Sequence, residues 1–151
     1  MLLPRRLLAS LVLLLGAALD AGCHEKGDPV RETLERIVRA ARDRDAKGVA
    51  VELAVDYRDA AGNGVSDVEG VLRDYFAAYE KVEVRMGDLS IERSEAAARA
   101  RFRVDLSGRP ARASALSGIV PSDESYRFDV RLTPDREGWK IAWAAWEPVP
   151  R

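Results

Sequence analysis

The chain is short of the residues that usually carry chemistry. It has one cysteine and one histidine among 151 residues. A lone histidine, His24, excludes Ser-His-Asp and Cys-His catalysis within the chain. It also excludes the common His/Cys zinc site. A lone cysteine, Cys23, excludes a disulfide framework, so the fold must rest on an ordinary core. There is no run of about 20 apolar residues of the kind that spans a membrane. There is no one-sided charge either: 24 basic and 25 acidic residues are interspersed, with no basic stripe, so nucleic acid is not an expected partner. No phosphate-cradling, dinucleotide or other cofactor motif is present, and none is expected.

The first segment, "MLLPRRLLASLVLLLGAALDAGC", has the build of an export signal. Arg5 and Arg6 form a positive start, and Leu7–Leu19 is a thirteen-residue apolar and small stretch. Its end, Ala21-Gly22-Cys23, resembles the lipobox of bacterial lipoproteins, with Asp20 in the place that family usually gives to leucine. The resemblance implies lipidation of Cys23 and a membrane partner reached through that anchor. Residues 1–22 would then be signal peptide and 23–28 a tether. His24 after the cysteine implies the outer membrane, periplasmic face. Cleavage after Gly16-Ala17-Ala18 is the competing route and would give a secreted or periplasmic chain with a free thiol. An uncleaved anchor is the third reading.

Beyond the tether, 29–151 is one domain's worth of chain. Asp28 and Pro29 read as an N-cap and first helical residue. Val30, Leu34, Ile37, Val38 and Ala41 follow at helical spacing, which predicts a helix over about 29–43. A second, weaker helix is predicted over about 45–54, followed by a loop holding Asp56, Tyr57, Arg58 and Asp59. Ser66 and Glu69 read as a capping box for a third helix ending near Tyr79, with Val68, Val71, Leu72, Tyr75, Phe76 and Tyr79 on its apolar face.

After Tyr79 the apolar period becomes two. Val82, Val84 and Met86 alternate, then the parity slips to Leu89 and Ile91, which predicts a β-bulge at Gly87-Asp88. Ala98 to Leu106 and Tyr126 to Leu132 alternate cleanly. In the last strand Trp139, Ile141, Trp143 and Ala145 share the inward parity and Trp146 the outward one. Strands apolar on one face predict an α+β fold, its N-terminal helices on one face of an antiparallel sheet of about four strands. The segment 107–124 resists placement and is long enough to be functional.

The order of the long helix at 29–43, "DYRD", "SDVEGVLRDYF" and "GWKIAWAAWEPV" resembles the NTF2-like superfamily, the cystatin-like cone of SnoaL-type and ketosteroid-isomerase-type proteins. The resemblance covers most of 28–147. It implies a curved sheet around the helices with a pocket at the open end. Asp56, Tyr57, Tyr75, Tyr126 and Trp143 are the candidate pocket residues. Arg101, Arg103, Arg127, Arg131 and Trp146 are the candidate interface, since such cones commonly dimerise through the outer sheet face. No residue is singled out as catalytic. A non-catalytic envelope lipoprotein that binds an apolar ligand, an envelope protein or a second copy of itself is the expected class. A small isomerase or dehydratase is the alternative, because one fold hosts many functions.

Overall fold

The computed structural model describes residues 27–111 and 123–150. The export segment, Cys23 and most of the unplaced 107–124 stretch lie outside the described residues.

Helix α1, Pro29–Arg42, starts where the sequence sets it. Asp28 accepts hydrogen bonds from the backbone N–H of Val30 at 2.8 Å and of Arg31 at 3.3 Å, a cap that contributes about 1 kcal/mol. Val30, Thr33 and Leu34 are buried. Helix α2 is only Ala46–Ala50, capped by Asp45 on the N–H of Gly48. A Cβ at residue 48 would lie 2.2 Å from that carboxylate, so the glycine permits the cap.

The chain then turns into strand β1, Leu53–Asp59. This corrects two expectations: the second helix stops at Ala50, and "DYRD" is a strand instead of a loop. Leu53, Val55 and Tyr57 carry the strand propensity, which outweighs the helical spacing of Val49, Leu53 and Val55.

Helix α3 spans Val65–Ala77, with Gly64 as N-cap. The Gly64 N–H donates to the Asp67 carboxylate at 2.9 Å. Ser66 is therefore the second helical residue and not the cap. Tyr79 opens strand β2 (Tyr79–Arg93), followed by β3 (Ala98–Pro110), β4 (Asp123–Asp135) and β5 (Gly138–Pro148). Residues 107–110 and 123–124 of the unplaced stretch thus extend β3 and begin β4.

The layer architecture is α+β, as the alternation requires. The sheet has five strands in the order β1-β5-β4-β3-β2. Strands β2 to β5 pair antiparallel and β1 joins the β5 edge in parallel, so the sheet is mixed. The expected bulge is present: the β2–β3 register shifts between Gly87 and Ser90, and Asp88 takes a left-handed backbone with φ 52°. A second irregularity lies between β4 and β5, where Leu132 pairs with Ile141 but Arg131 pairs with Trp143. Ala142 is the extra residue. From there to the end of β5 every side chain stands on the face opposite to the one strict alternation assigns.

The core lies between α1, α3 and the concave sheet face. Tyr79, Leu34, Leu132, Val30 and Val130 are its most enclosed large side chains.

Candidate functional site

The concave face is not filled along its whole length. A cavity of about 430 Å³ opens between α1, α3 and the sheet. Ile37, Val38 and Ala41 of α1 form one wall, and Val68, Val71, Leu72 and Tyr75 of α3 form another. The floor is an aromatic ladder across three strands. Phe102 and Phe128 stack with ring centroids 5.4 Å apart, and Phe128 and Trp146 lie 5.8 Å apart. Val71 is 69 % exposed and Trp146 47 % exposed. These two lining side chains mark the opening, between α3 and the end of β5.

Of the pocket residues expected from sequence, Tyr57, Tyr75 and Tyr126 line this cavity. Asp56 does not: it is an exposed residue of β1, one position out of phase with Tyr57. The acids that line the cavity are Asp59, 5 % exposed, and the exposed Asp67. Trp143 is not a lining residue either. The extra residue Ala142 turns it outward, where the Arg131 guanidinium sits 4.7 Å from its ring centre. The same shift brings Ala144 and Trp146 inward in place of Ala145. The expectation that Trp146 belongs to an outer interface is corrected accordingly.

The outer face does carry the arginines, but in mixed company. Arg101 pairs with Glu92 at 3.1 Å, Arg103 with Asp105 at 2.8 Å and Arg127 with Glu147 at 3.2 Å. Arg99 grips Asp129 with two bonds. The Arg99 contact holds Asp129 below the ordinary carboxylate range, with the nearby Arg101 and Arg131 adding to it.

Asp59 is fixed by its own loop. Its carboxylate accepts from the N–H groups of Ala61 (2.8 Å) and Asn63 (2.9 Å) and from the Asn63 side chain (2.8 Å). Burial opposes its ionisation, yet the bonds from Asn63, Ala61 and Gly62 outweigh it and hold the group below the usual range. It is thus an anion held by three hydrogen bonds, the reverse of a poised general acid.

Burial pushes the Tyr57 hydroxyl up to about 12, and the Asp59 charge adds to that. Burial likewise raises Tyr75 to about 12, with Tyr79, Tyr126 and Glu124 contributing. Tyr126 reaches about 12 through burial and its hydrogen bond to Glu124. All three are neutral hydroxyls at physiological pH.

Away from the cavity, a buried ionic latch ties α1 to the sheet edge. Glu52 accepts from Arg36 at 2.7 and 3.0 Å and has Lys140 at 3.6 Å. Thr33, fully buried, donates to the Trp139 carbonyl at 3.0 Å. Sequence reading missed this group because Glu52 falls inside the stretch taken for the second helix. Among the described residues, no three His, Cys, Asp or Glu side chains converge to hold a metal ion, and no helix is long and apolar enough to cross a membrane.

No family model matches the chain, and no curated protein matches it by sequence. Solved structures do resemble it. A candidate scytalone dehydratase of Novosphingobium aromaticivorans superposes with a TM-score of 0.68 at 12% identity, over 81% of this chain and 83% of its own. A candidate dehydratase of the NTF2-like family from Streptomyces avermitilis gives 0.67 at 11% identity, over 82% and 96%. An NTF2-like protein of unknown function from Pseudomonas putida gives 0.60 at 18% identity, over 78% and 82%. At these identities the likeness is one of backbone. It agrees with the helices, the curved five-stranded sheet and the cavity between them: the chain has the NTF2-like, cystatin-like cone fold.

Proposed function

We propose that this chain is a non-catalytic binding module of the bacterial envelope, held at the membrane by a lipid on Cys23, and that its cavity takes an apolar small molecule. The observation that carries the reading is the cavity itself. Its wall is almost wholly aliphatic and aromatic, and its one buried carboxylate, Asp59, is fixed by three loop hydrogen bonds. A pocket of this volume and lining suits a ligand held by burial of apolar surface. The dehydratase names of two structural neighbours support an alternative, an acid–base enzyme using Tyr57 and Asp59. That chemistry needs a group able to exchange a proton near neutral pH. Asp59, held below the carboxylate range, and Tyr57, at about 12, sit far on either side.

The anchor rests on Arg5-Arg6, the apolar run and Ala21-Gly22-Cys23. Mass spectrometry of the mature N-terminus tests it. The expected species begins at Cys23 and carries acyl chains; a chain beginning at Leu19 with a free thiol counts against it. For the cavity, the exported Cys23→Ala chain should bind one equivalent of the neutral probe N-phenyl-1-naphthylamine. Val71→Arg, at the exposed rim, should weaken that binding while leaving the melting temperature unchanged. Absence of saturable binding would refute the reading.

A further inference from the structure

Resting on the reading of the cavity as a ligand site, we infer that its ligand is a lipophilic cation, an apolar body with a protonated amine, and that the site rejects fatty acids and other anionic amphiphiles. The argument begins with charge. Among the described residues no lysine or arginine lines the cavity; the carboxyl side chains that do are Asp59 and Asp67. Asp59 is buried and makes no ion pair among the described residues. Its hydrogen bonds stabilise the anion but leave its charge uncancelled. In a low-dielectric cleft such a charge acts at longer range than in water, and a buried charge ordinarily has a counterion. The contrast lies within the same molecule: the other buried carboxylate, Glu52, has two cations upon it.

The second observation is Tyr57. It is 3 % exposed and lines the cavity. Among the described residues no protein group exchanges a hydrogen bond with its hydroxyl, although no buried polar atom is sealed off without a partner. The hydroxyl therefore meets the cavity and is available to a ligand, as acceptor for an ammonium or donor to a neutral head. The third is placement. Asp59 pairs with Ala144 across the β1–β5 junction, and Trp146 is the next inward side chain on β5. Asp67 and Val71 lie on the facing side of α3. Carboxylate, phenol and indole thus line one cavity, and the rest of its wall is mostly aliphatic and aromatic. An ammonium there meets an anion and the face of an aromatic ring, both of which favour it. The amino end of α3 would favour an anion, but Asp67 already occupies it through the Gly64 N–H. Arg58, the only basic side chain on β1, donates to the Tyr57 carbonyl at 2.7 Å and lies over Gly64 beside Asp67, but it is not among the residues that line the cavity.

The test is a matched set of probes with one chain length and three heads: decylammonium, decanol and decanoate. Each is titrated calorimetrically at pH 7.5, below its micelle concentration, into the exported Cys23→Ala chain. Decylammonium should bind about tenfold more tightly than decanol, and decanoate more weakly than either. The preference should fall as salt rises. Asp59→Asn should erase the amine preference while keeping decanol affinity. Should the loop not tolerate that change, Asp67→Asn at the exposed rim should reduce it in part. Equal affinity for the three heads, or preference for decanoate, overturns the inference and leaves the cavity reading standing. If none of the three binds, the cavity reading falls and this inference with it.

Discussion

The two halves of the concave sheet face are built from the same alternating pattern and end up in opposite states. Toward Ala98, Ala100 and Leu132 the face is sealed, each residue 5 % exposed or less. Toward Phe102, Tyr126, Phe128 and Trp146 the same strands line an open cavity. The difference is made by the cover. The first turns of α1 press Val30, Thr33 and Leu34 onto the sheet, and the ionic latch at Glu52 holds that end down. Further along, Ile37, Val38 and Ala41 are only partly buried and roof the cavity. Alternation says which side chains face inward. It does not say whether anything touches them there.

The sharpest way to break this comparison is to truncate one residue in each half. Leu132→Ala in the sealed half should cost about 2–5 kcal/mol, as a buried leucine without room to relax does. Val71→Ala at the rim should stay within about 0.5 kcal/mol, as surface changes do. Urea unfolding of the two variants measures the contrast. Comparable losses would mean that the cavity collapses in solution.

The latch ranks next. Glu52→Ala leaves Lys140 and Arg36 facing each other across an emptied site, and should cost about 3 kcal/mol. Burial opposes Glu52 ionisation, but Arg36 and Lys140 outweigh it, so its pKa is lowered in the folded chain. A lowered carboxylate contributes stability above its unfolded pKa and loses it as pH falls through the folded value. Acid should therefore release α1 from the sheet edge, and the Asp59 loop, whose carboxylate is lowered likewise, loses its share in the same range. Tyr57, Tyr75 and Tyr126 are raised to about 12. Their contribution is complete below the unfolded tyrosine pKa of about 10 and disappears as pH rises toward about 12. Alkali should loosen the cavity half. Hydrogen exchange at pH 4 and pH 10.5 should show α1 opening first in the one case and α3 first in the other. The same order at both extremes would contradict the assignment.

What was legible in the sequence follows from which signals are local. The Asp28-Pro29 cap, the start of α1 and the bulge at Gly87-Asp88 are each written in a few neighbouring residues, and each stands where expected. The layer order and the one-sided sheet were legible for the same reason. Strand β1 was not. Its partner β5 lies about 85 residues away, and "VAVELAVDY" satisfies a helical and an extended spacing alike. The Ser66 cap failed because a competing carboxylate, Asp67, lay one residue on and reached Gly64. Tyr75 and Tyr126 were found through their helical and strand parity, and Tyr57 only through the resemblance, in what was read as a loop. Asp59 was seen only as a neighbour of Asp56, since which of two acids three residues apart, on opposite strand faces, is enclosed depends on how β1 docks.

Trp143 and Trp146 give the finest version of the contrast, because a single inserted residue, Ala142, decides which of them faces the ligand. Strict alternation from Trp139 assigns Trp143 to the interior. The register instead places it over Arg131 on the outer face and turns Trp146 toward Phe128. Neither substitution to alanine should carry the full cost of a core aromatic. Trp143→Ala loses one exposed cation–π contact, about 0.5–1 kcal/mol, and Trp146→Ala loses a ring stacked on one side, about 0.5–1.5 kcal/mol beyond its buried area. Their stabilities should therefore be similar, and binding should separate them. Trp146→Ala should weaken N-phenyl-1-naphthylamine severalfold and remove most of the change in tryptophan emission on binding. Trp143→Ala should leave both intact. A reversed result would place the extra residue elsewhere in β5 and return Trp143 to the cavity.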